Sequence, residues 1–232
     1  MKRIVQPELL DELPQTDPRA IQSRRDLRRV NFLMGNAGIV ERLLLKIFPG
    51  NPPKRMVELG AGDATFMLRL ASRLAKRWKN VEIIFVDQQK LVSPKTEQAI
   101  HQLGWRTEII SADVFHWLPI CEPSDCIITN LLLHHFASEK LSRLLRESAA
   151  KTETFIACEP HRSAWGIFGT KFLWAIGCND VTRHDAPASV RAGFRDLEIS
   201  QFWPRSENWE LEEVRAGLFS HVFAARLCSR VS

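Results

Sequence analysis

No apolar run in the sequence approaches the roughly 18 residues that a membrane-spanning helix requires. Residues 1–7 include basic side chains but no apolar core follows them, so a cleaved secretory signal is not expected. The five cysteines are an odd number and contain no CxxC pair, which argues against a disulfide framework and a structural zinc site. We therefore expect a cytoplasmic protein with reduced thiols, no membrane span and no metal site.

The composition excludes a disordered or fibrous chain. Of 232 residues, 45% are hydrophobic and 25% are charged, which is typical of a globular protein with room for one large α/β domain. The net charge of +5 is uneven, because residues 1–54 hold ten basic and six acidic side chains and so contribute +4. We interpret this basic segment as a solvated helix face, so a nucleic acid partner is not expected.

A proline-rich break at residues 49–53 divides the chain. Before it, the spacing of the apolar residues predicts helices, so we assign residues 1–54 to an N-terminal helical cap segment. After it, residues 55–232 form the main domain, and a helical insertion is predicted at about residues 162–187. That insertion is unusually apolar for a connection. It would either form, with residues 15–50, the roof of an apolar pocket, or cover the sheet or make a dimer contact.

The main domain alternates between strand and helix patterns. Five apolar strands are predicted at residues 56–60, 81–87, 107–113, 126–129 and 154–158. Helices are predicted between them, one of which has Ser138 as its N-cap. This alternation predicts an α/β fold with a doubly wound, mostly parallel sheet. Two further strands at residues 198–203 and 218–227 would add an antiparallel edge pair, giving seven strands.

Polar or glycine residues follow four of these strands, at the edge where open α/β sheets bind ligands. Gly60 and Gly62 form a turn after the first strand, and Asp87, Asp113 and Asn130 follow the next three. A carboxylate in the position of Asp87 can accept hydrogen bonds from both hydroxyls of a ribose. The spacing therefore predicts a nucleotide-type site. The dinucleotide pattern GxGxxG is broken, since its third glycine would be residue 65, which is threonine.

Over residues 55–228 the chain resembles the class I S-adenosylmethionine-dependent methyltransferases. The resemblance rests on Val-Glu-Leu-Gly-Ala-Gly-Asp-Ala at positions 57–64, on Asp87, on Ala-Asp at positions 112–113 and on Asn-Leu-Leu-Leu-His-His-Phe at positions 130–136. The last stretch is similar to small-molecule methyltransferases such as those of ubiquinone and menaquinone biosynthesis. The resemblance implies a Rossmann-like methyltransferase fold.

It also implies the residues that bind S-adenosylmethionine: Glu58, Gly60, Ala61, Gly62, Asp87, Gln88, Asp113, Val114 and Asn130. The turn at Gly60 and Gly62 would hold the methionine end, Asp87 the ribose and Asp113 the adenine amino group. The third glycine of the family turn is Ala64 here, which puts the closeness of backbone approach in doubt.

Histidines are the candidate catalysts, because a hydroxyl acceptor must lose its proton and histidine titrates near neutral pH. His134 and His135 would lie beside the reacting methyl group, with their side chains about 100° apart on a helical turn. His161 and His184 are candidates for the acceptor side. We select His134, His135 and His184 as catalytic candidates, and a structural hydrogen-bonding role remains open for each.

The sequence thus predicts methyl transfer to a small, partly apolar acceptor, on oxygen or carbon. An RNA methyltransferase and a catalytically silent cofactor-binding or interaction protein remain alternatives, and an NAD oxidoreductase is disfavoured by Thr65. The Pro-Pro-aromatic run of nucleic-acid amino-methyltransferases is absent after the fourth strand. The sequence leaves the oligomeric state open, with a dimer possible.

Overall fold

A computed structural model describes residues 1–205 and 207–228, and its centre is a seven-stranded sheet. The strands are β1 (Arg55–Leu59), β2 (Glu82–Asp87), β3 (Arg106–Ser111), β4 (Ser124–Asn130), β5 (Thr152–Pro160), β6 (Trp209–Ala216) and β7 (Ser220–Leu227). Their order is β3-β2-β1-β4-β5-β7-β6, with β1–β5 parallel and β7 antiparallel to both β5 and β6. The predicted doubly wound α/β fold with an antiparallel edge pair is confirmed.

Nine α-helices flank this sheet within the described ranges. They are α1 (Leu9–Glu12), α2 (Pro18–Met34), α3 (Asn36–Ile47), α4 (Thr65–Leu74), α5 (Pro94–Gln102), α6 (Val114–Trp117), α7 (Ser138–Ala149), α8 (Ala164–Thr170) and α9 (Asp180–Ala192). Two 3₁₀ turns lie at Leu133–His135 and Leu173–Ile176.

The core lies on both faces of the sheet, because the central strands are apolar along their whole length. On one face, α3 and α4 pack their buried side chains against β1, β2 and β4, with Leu44 and Leu70 fully buried. On the other face, α7 contributes Leu141, Leu144 and Leu145. The predicted apolar stripe of α7 is correct, but Ser138 is its first helical residue and Ala137 is the N-cap.

One predicted strand is wrong. Residues 198–203 form successive turns, and the partner of β7 at the sheet edge is β6. The reason is Glu213, a buried residue of β6 whose carboxylate accepts hydrogen bonds from Ile199 N (2.9 Å) and Ser200 N (2.7 Å). These amides bond to a side chain instead of a neighbouring strand, so the segment packs against the edge without joining the sheet.

The N-terminal segment contains three helices, and Gly35 with φ of +71° separates α2 from α3. The insertion predicted at about residues 162–187 contains α8 and most of α9, which continues past residue 187 to Ala192. No helix in the described part of the chain combines the length and apolar character that a membrane crossing requires. All five cysteines are free thiols, and three of them are buried.

Candidate functional site

The turn between β1 and α4 places three residues in the left-handed region of backbone conformation. Gly60, Gly62 and Ala64 have φ of +70°, +54° and +58°. A Cβ on Gly60 would lie 2.7 Å from Leu132, whereas a Cβ on Gly62 would point into open space. Ala64 stands where the resembling family has glycine, so an alanine here adopts a backbone that favours glycine.

Asp87 joins this turn to the end of β2. Its Oδ2 accepts a hydrogen bond from Gly62 N at 2.9 Å, and its Oδ1 accepts one from Gln89 N at 2.8 Å. Each carboxylate oxygen can accept a further hydrogen bond. The backbone therefore orients the carboxylate while leaving it able to receive donors from a ligand.

Glu58, at the end of β1, is a buried carboxyl group. Its Oε2 has no hydrogen-bond partner within residues 1–205 and 207–228. Burial, together with the charges of Asp63 and Asp87, raises the pKa of Glu58 well above its ordinary value. Asp63 itself accepts a hydrogen bond from Thr65 N through Oδ1 and one from the Arg28 guanidinium through Oδ2.

Asn130, at the end of β4, belongs to a buried amide network. Asn36, the first residue of α3, donates through Nδ2 to Asn130 Oδ1 at 2.8 Å and to Asn31 Oδ1 at 3.1 Å. Ser220 of β7 donates to Asn36 Oδ1 at 2.6 Å. The N-terminal helices thus fix the orientation of Asn130.

These groups line one cavity of about 790 Å³, a volume typical of small-molecule sites. Eight of the nine predicted cofactor residues border it: Glu58, Gly60, Ala61, Gly62, Asp87, Gln88, Val114 and Asn130. Asp113 does not. Its side chain instead caps α6 by accepting a hydrogen bond from Phe115 N at 2.8 Å.

The N-terminal helices and the insertion form an apolar wall of the same cavity. Its members from α2 are Leu27, Val30 and Leu33, and those from the insertion are Phe172, Leu173 and Ile176. Leu33 is 62% exposed and Phe172 53% exposed, although both are large apolar side chains. Their exposure is consistent with a surface that an apolar ligand would cover.

His134 lines this cavity and pairs with Glu159, a buried residue at the end of β5. Nδ1 of His134 donates to Glu159 Oε2 at 2.8 Å, and Nε2 lies 3.7 Å from Glu8 Oε1. The other oxygen of Glu159 accepts from Leu132 N and Leu133 N, which anchors the loop after β4. Burial alone would lower the pKa of His134, but the hydrogen bond to Glu159 and the negative charges of Glu159 and Glu8 outweigh burial and raise that pKa to about 9.

His135 is less buried, with 29% of its side chain exposed, and its ring centroid lies 4.2 Å from that of His134. Burial and the charge of His134 lower the pKa of His135 to about 4. Its Nδ1 is 3.6 Å from Asp11 Oδ2. Burial, with the charges of Glu8 and Asp185, raises the pKa of Asp11 to about 6.

The other two candidate histidines, His161 and His184, do not line the cavity. His184, a predicted catalytic residue, has 61% of its side chain exposed, pairs with the neighbouring Asp185 and does not line the cavity. It lies on α9, on a face turned away from the cavity that Asp185 borders. His161 also lies outside the cavity and stacks on His221 at 5.8 Å. The structure therefore brings His134 and His135 together and leaves His161 and His184 apart.

The sequence analysis missed two residues that line the cavity, Glu8 and Asp11, and also missed Glu159, which bonds to His134. Glu159 follows the fifth strand in the same way that Asp87 and Asn130 follow theirs, so the same rule applied once more would have found it. Glu8 and Asp11 carry no such signal. They reach the cavity because Asp185 accepts hydrogen bonds from Leu9 N and Leu10 N and so fixes α1.

No family model matches the chain, and no curated protein matches it. The fold is similar to that of the plantazolicin methyltransferase BpumL in complex with S-adenosylhomocysteine, with a TM-score of 0.65, 13% identity and 91% of each chain covered. It is also similar to an O-methyltransferase family protein from Burkholderia thailandensis, with a TM-score of 0.61 and 14% identity over 93% of this chain and 61% of that one.

A third similar structure is the magnesium protoporphyrin IX methyltransferase of Synechocystis with bound S-adenosylhomocysteine. Its TM-score is 0.52, its identity is 12%, and 95% of this chain and 91% of that one are covered. At such identities the similarity establishes the fold, which is the Rossmann-like methyltransferase fold.

Proposed function

We propose that the protein is an S-adenosylmethionine-dependent methyltransferase that acts on a small, partly apolar acceptor. The observation that carries this proposal is that one cavity contains the glycine turn, Asp87 and Asn130 together with a separate apolar wall. A cofactor and an acceptor can then occupy the same cavity, as transfer between them requires.

The residues at the turn fit S-adenosylmethionine. Gly62 presents open space where any larger residue would project a side chain, so a ligand can approach the backbone closely. The Oε2 of Glu58 is buried and has no partner in the described ranges, which leaves a polar atom available beside the turn. Asp87 can accept hydrogen bonds from ribose hydroxyls. Gln88 and Val114 border the region proposed for the nucleoside, whereas Asp113 caps a helix.

The bound cofactor supplies an activated methyl group on a positively charged sulfur. The protein must then hold the acceptor in line with that group and exclude water, and such positioning can lower a barrier by roughly 7–11 kcal/mol. The apolar wall provides the exclusion. The polar groups facing it, His134 and His135 with Glu8 and Asp11, are the side chains that can orient an acceptor and remove its proton.

The acceptor class follows from the two walls of the cavity. An apolar body would cover Leu33 and Phe172, and a hydroxyl or acidic carbon would face the histidines. The resemblance to ubiquinone and menaquinone biosynthesis enzymes supports a ring-bearing acceptor. BpumL, bound to desmethylplantazolicin analogues in other structures, supports a heteroaromatic peptide instead. We propose the cytoplasm as the compartment, because all five thiols are free.

The test is calorimetric titration of the full chain with S-adenosylmethionine. Asp87→Ala should weaken binding by about 1.5–3 kcal/mol, the contribution of hydrogen bonds to a charged group, which is roughly a 10- to 150-fold rise in Kd. The matched control is Glu82→Ala, an acidic residue at the opposite end of the same strand, and it should leave the affinity unchanged.

Turnover is measured separately, as S-adenosylhomocysteine formed in the presence of phenolic, quinol and azole-peptide acceptors. Formation of this product with any acceptor supports the proposal. Equal affinities for the wild type and Asp87→Ala would overturn the assigned cofactor site. Binding without turnover across the acceptors would instead favour a catalytically silent member of the fold.

A further inference from the structure

We propose that Glu8, His134 and His135 bind a divalent transition-metal ion of the zinc type in the cavity, and that this ion coordinates the acceptor oxygen. Each of the three residues offers one ligand atom, and the three atoms lie within 4.8 Å of one another. All three residues line the cavity. The sequence predicted no metal site, since its five cysteines contain no CxxC pair.

The distances suit an ion better than a direct contact. Nε2 of His134 lies 3.7 Å from Glu8 Oε1, which exceeds hydrogen-bond length. Metal–nitrogen and metal–oxygen bonds of about 2.0–2.2 Å in tetrahedral geometry separate two ligand atoms by roughly 3.3–3.6 Å. The His134–Glu8 pair therefore needs almost no adjustment. The three ligand atoms lie within 4.8 Å of one another, so His135 needs a shift of roughly 1.2–1.5 Å at most.

The surroundings of two ligands are those of metal-binding side chains. A histidine that binds a metal usually donates its other ring N–H to a carboxylate, which fixes the tautomer and the ring orientation. His134 does so, because Nδ1 donates to Glu159 while Nε2 faces the cluster. Glu8 is itself oriented by the Ser189 hydroxyl, which donates to the same oxygen. Both ligands are thus held in place before any ion binds.

The donor set indicates the class of ion. Two imidazole nitrogens and one carboxylate oxygen resemble the three protein ligands of catalytic zinc sites, which leave a fourth position open. Imidazole ligands suit zinc, iron, cobalt and nickel, whereas magnesium prefers oxygen ligands and retains its waters. Here the fourth position would open into the cavity. Asp11, whose Oδ2 is 3.6 Å from His135 Nδ1, lies beside it.

The role of the ion in the reaction rests on the methyl transfer proposed above. An acceptor hydroxyl bound to the ion would lose its proton to water. The deprotonated oxygen would form a bond to the methyl carbon while the bond between that carbon and sulfur breaks. The electron pair of the broken bond would stay on sulfur. The products are a methyl ether and neutral S-adenosylhomocysteine, so atoms and charges balance.

The experiment measures metal binding by the full chain without cofactor or acceptor. The protein is stripped with a chelator, dialysed and titrated with Zn²⁺ and, separately, Mg²⁺. We expect one equivalent of zinc to bind and magnesium to bind far more weakly. Cobalt substitution should give the visible absorption bands of a four- or five-coordinate site.

Variants assign the ligands. Glu159→Gln removes a residue that hydrogen-bonds to a ligand, and such a change should reduce zinc affinity by roughly 10- to 100-fold. Glu8→Gln and His135→Ala remove a ligand itself, so each should reduce zinc affinity by at least as much. His116→Ala, an exposed histidine that does not line the cavity, is the matched control and should bind zinc like the wild type. Because His135 is partly exposed, its replacement should leave the fold intact, which thermal unfolding would verify.

Failure of this proposal is distinguishable from failure of the proposed function. Asp87→Ala should lose affinity for S-adenosylmethionine and retain affinity for zinc. His135→Ala should lose affinity for zinc and retain affinity for S-adenosylmethionine. Absence of stoichiometric zinc and of cobalt bands in the wild type would overturn the metal site. Zinc binding that Glu8→Gln and His135→Ala do not weaken would overturn it equally.

Discussion

At the scale of single residues, Glu58 is the least ordinary group in the protein. It is a carboxyl group buried at the end of a central strand, and the nearby charges of Asp63 and Asp87 add to the effect of burial in raising its pKa. The folded protein therefore holds this proton at pH values where the unfolded chain has released it. Stability should fall as the pH rises above the unfolded pKa of about 4.3, at up to about 1.4 kcal/mol per pH unit.

Glu58→Gln removes this titration while keeping the shape of the side chain. We expect the cofactor-free variant to be more stable than the wild type at pH 8, and the difference to shrink towards zero near pH 4. Urea unfolding across that pH range measures it. Glu153→Gln, an exposed glutamate on β5, is the control and should follow the wild type. A constant difference between Glu58→Gln and the wild type at all pH values would contradict the raised pKa.

At the scale of secondary-structure elements, the junction of α2 and α3 determines how Asn130 is oriented. Asn36 begins α3, is completely buried and bonds to side chains on three other elements: Asn31 of α2, Asn130 of β4 and Ser220 of β7. Buried amides are stabilising only when every partner is satisfied. The network therefore couples α2 and α3 to the part of the cavity that Asn130 lines.

Asn36→Ala would leave Asn130 and Ser220 without these bonds. We expect a loss of about 2–3 kcal/mol in the free energy of unfolding, the penalty for buried groups left unsatisfied. S-adenosylmethionine affinity should also fall, because Asn130 lines the cavity. Denaturant unfolding and calorimetry measure the two effects. Asn51→Ala, in the exposed loop before β1, should change neither; retained stability in Asn36→Ala would refute the network's importance.

At the scale of the whole molecule, Arg3 near the N-terminus forms hydrogen bonds to two segments that are distant from it in the chain. Nε of Arg3 donates to Ala192 O at the end of α9 (2.8 Å), and Nη2 donates to Phe136 O after β4 (2.9 Å). The guanidinium also lies 4.5 Å from the ring centroid of Phe194. These contacts hold the segment that carries Glu8 against the loop that carries His134.

Arg3→Ala should lower the free energy of unfolding by about 2–3 kcal/mol, because a charged donor is lost and buried carbonyl groups lose their partner. Zinc binding should weaken as well, since Glu8 would no longer be held near His134. Lys2→Ala changes the exposed neighbouring residue and serves as the control in both measurements. Wild-type stability in Arg3→Ala would show that other contacts suffice to hold the N-terminal segment.

The local sequence pattern was enough to predict most of the sheet and the residues that line the cavity at the ends of β1, β2 and β4. Apolar strands alternating with amphipathic helices allow few arrangements, and parallel strands bring their carboxyl ends to one edge. Gly60, Asp87 and Asn130 therefore had to lie near one another. Residues 198–203 are the exception: their apolar pattern predicted a strand, but they form turns. The amides of Ile199 and Ser200 donate to the Glu213 carboxylate instead of to a neighbouring strand.

Tertiary structure alone brought Glu8 together with His134 in the cavity lining. Glu8 is 126 residues before His134 in the chain, and nothing in the local pattern of either residue indicates the other. For Asp113 and His184, the sequence pattern predicted a place in the site and the fold gave them another. Asp113 caps a helix, and His184 lies on the surface. Local periodicity determines which elements form, but contacts between distant segments depend on how their surfaces pack, and that is settled only in the folded chain.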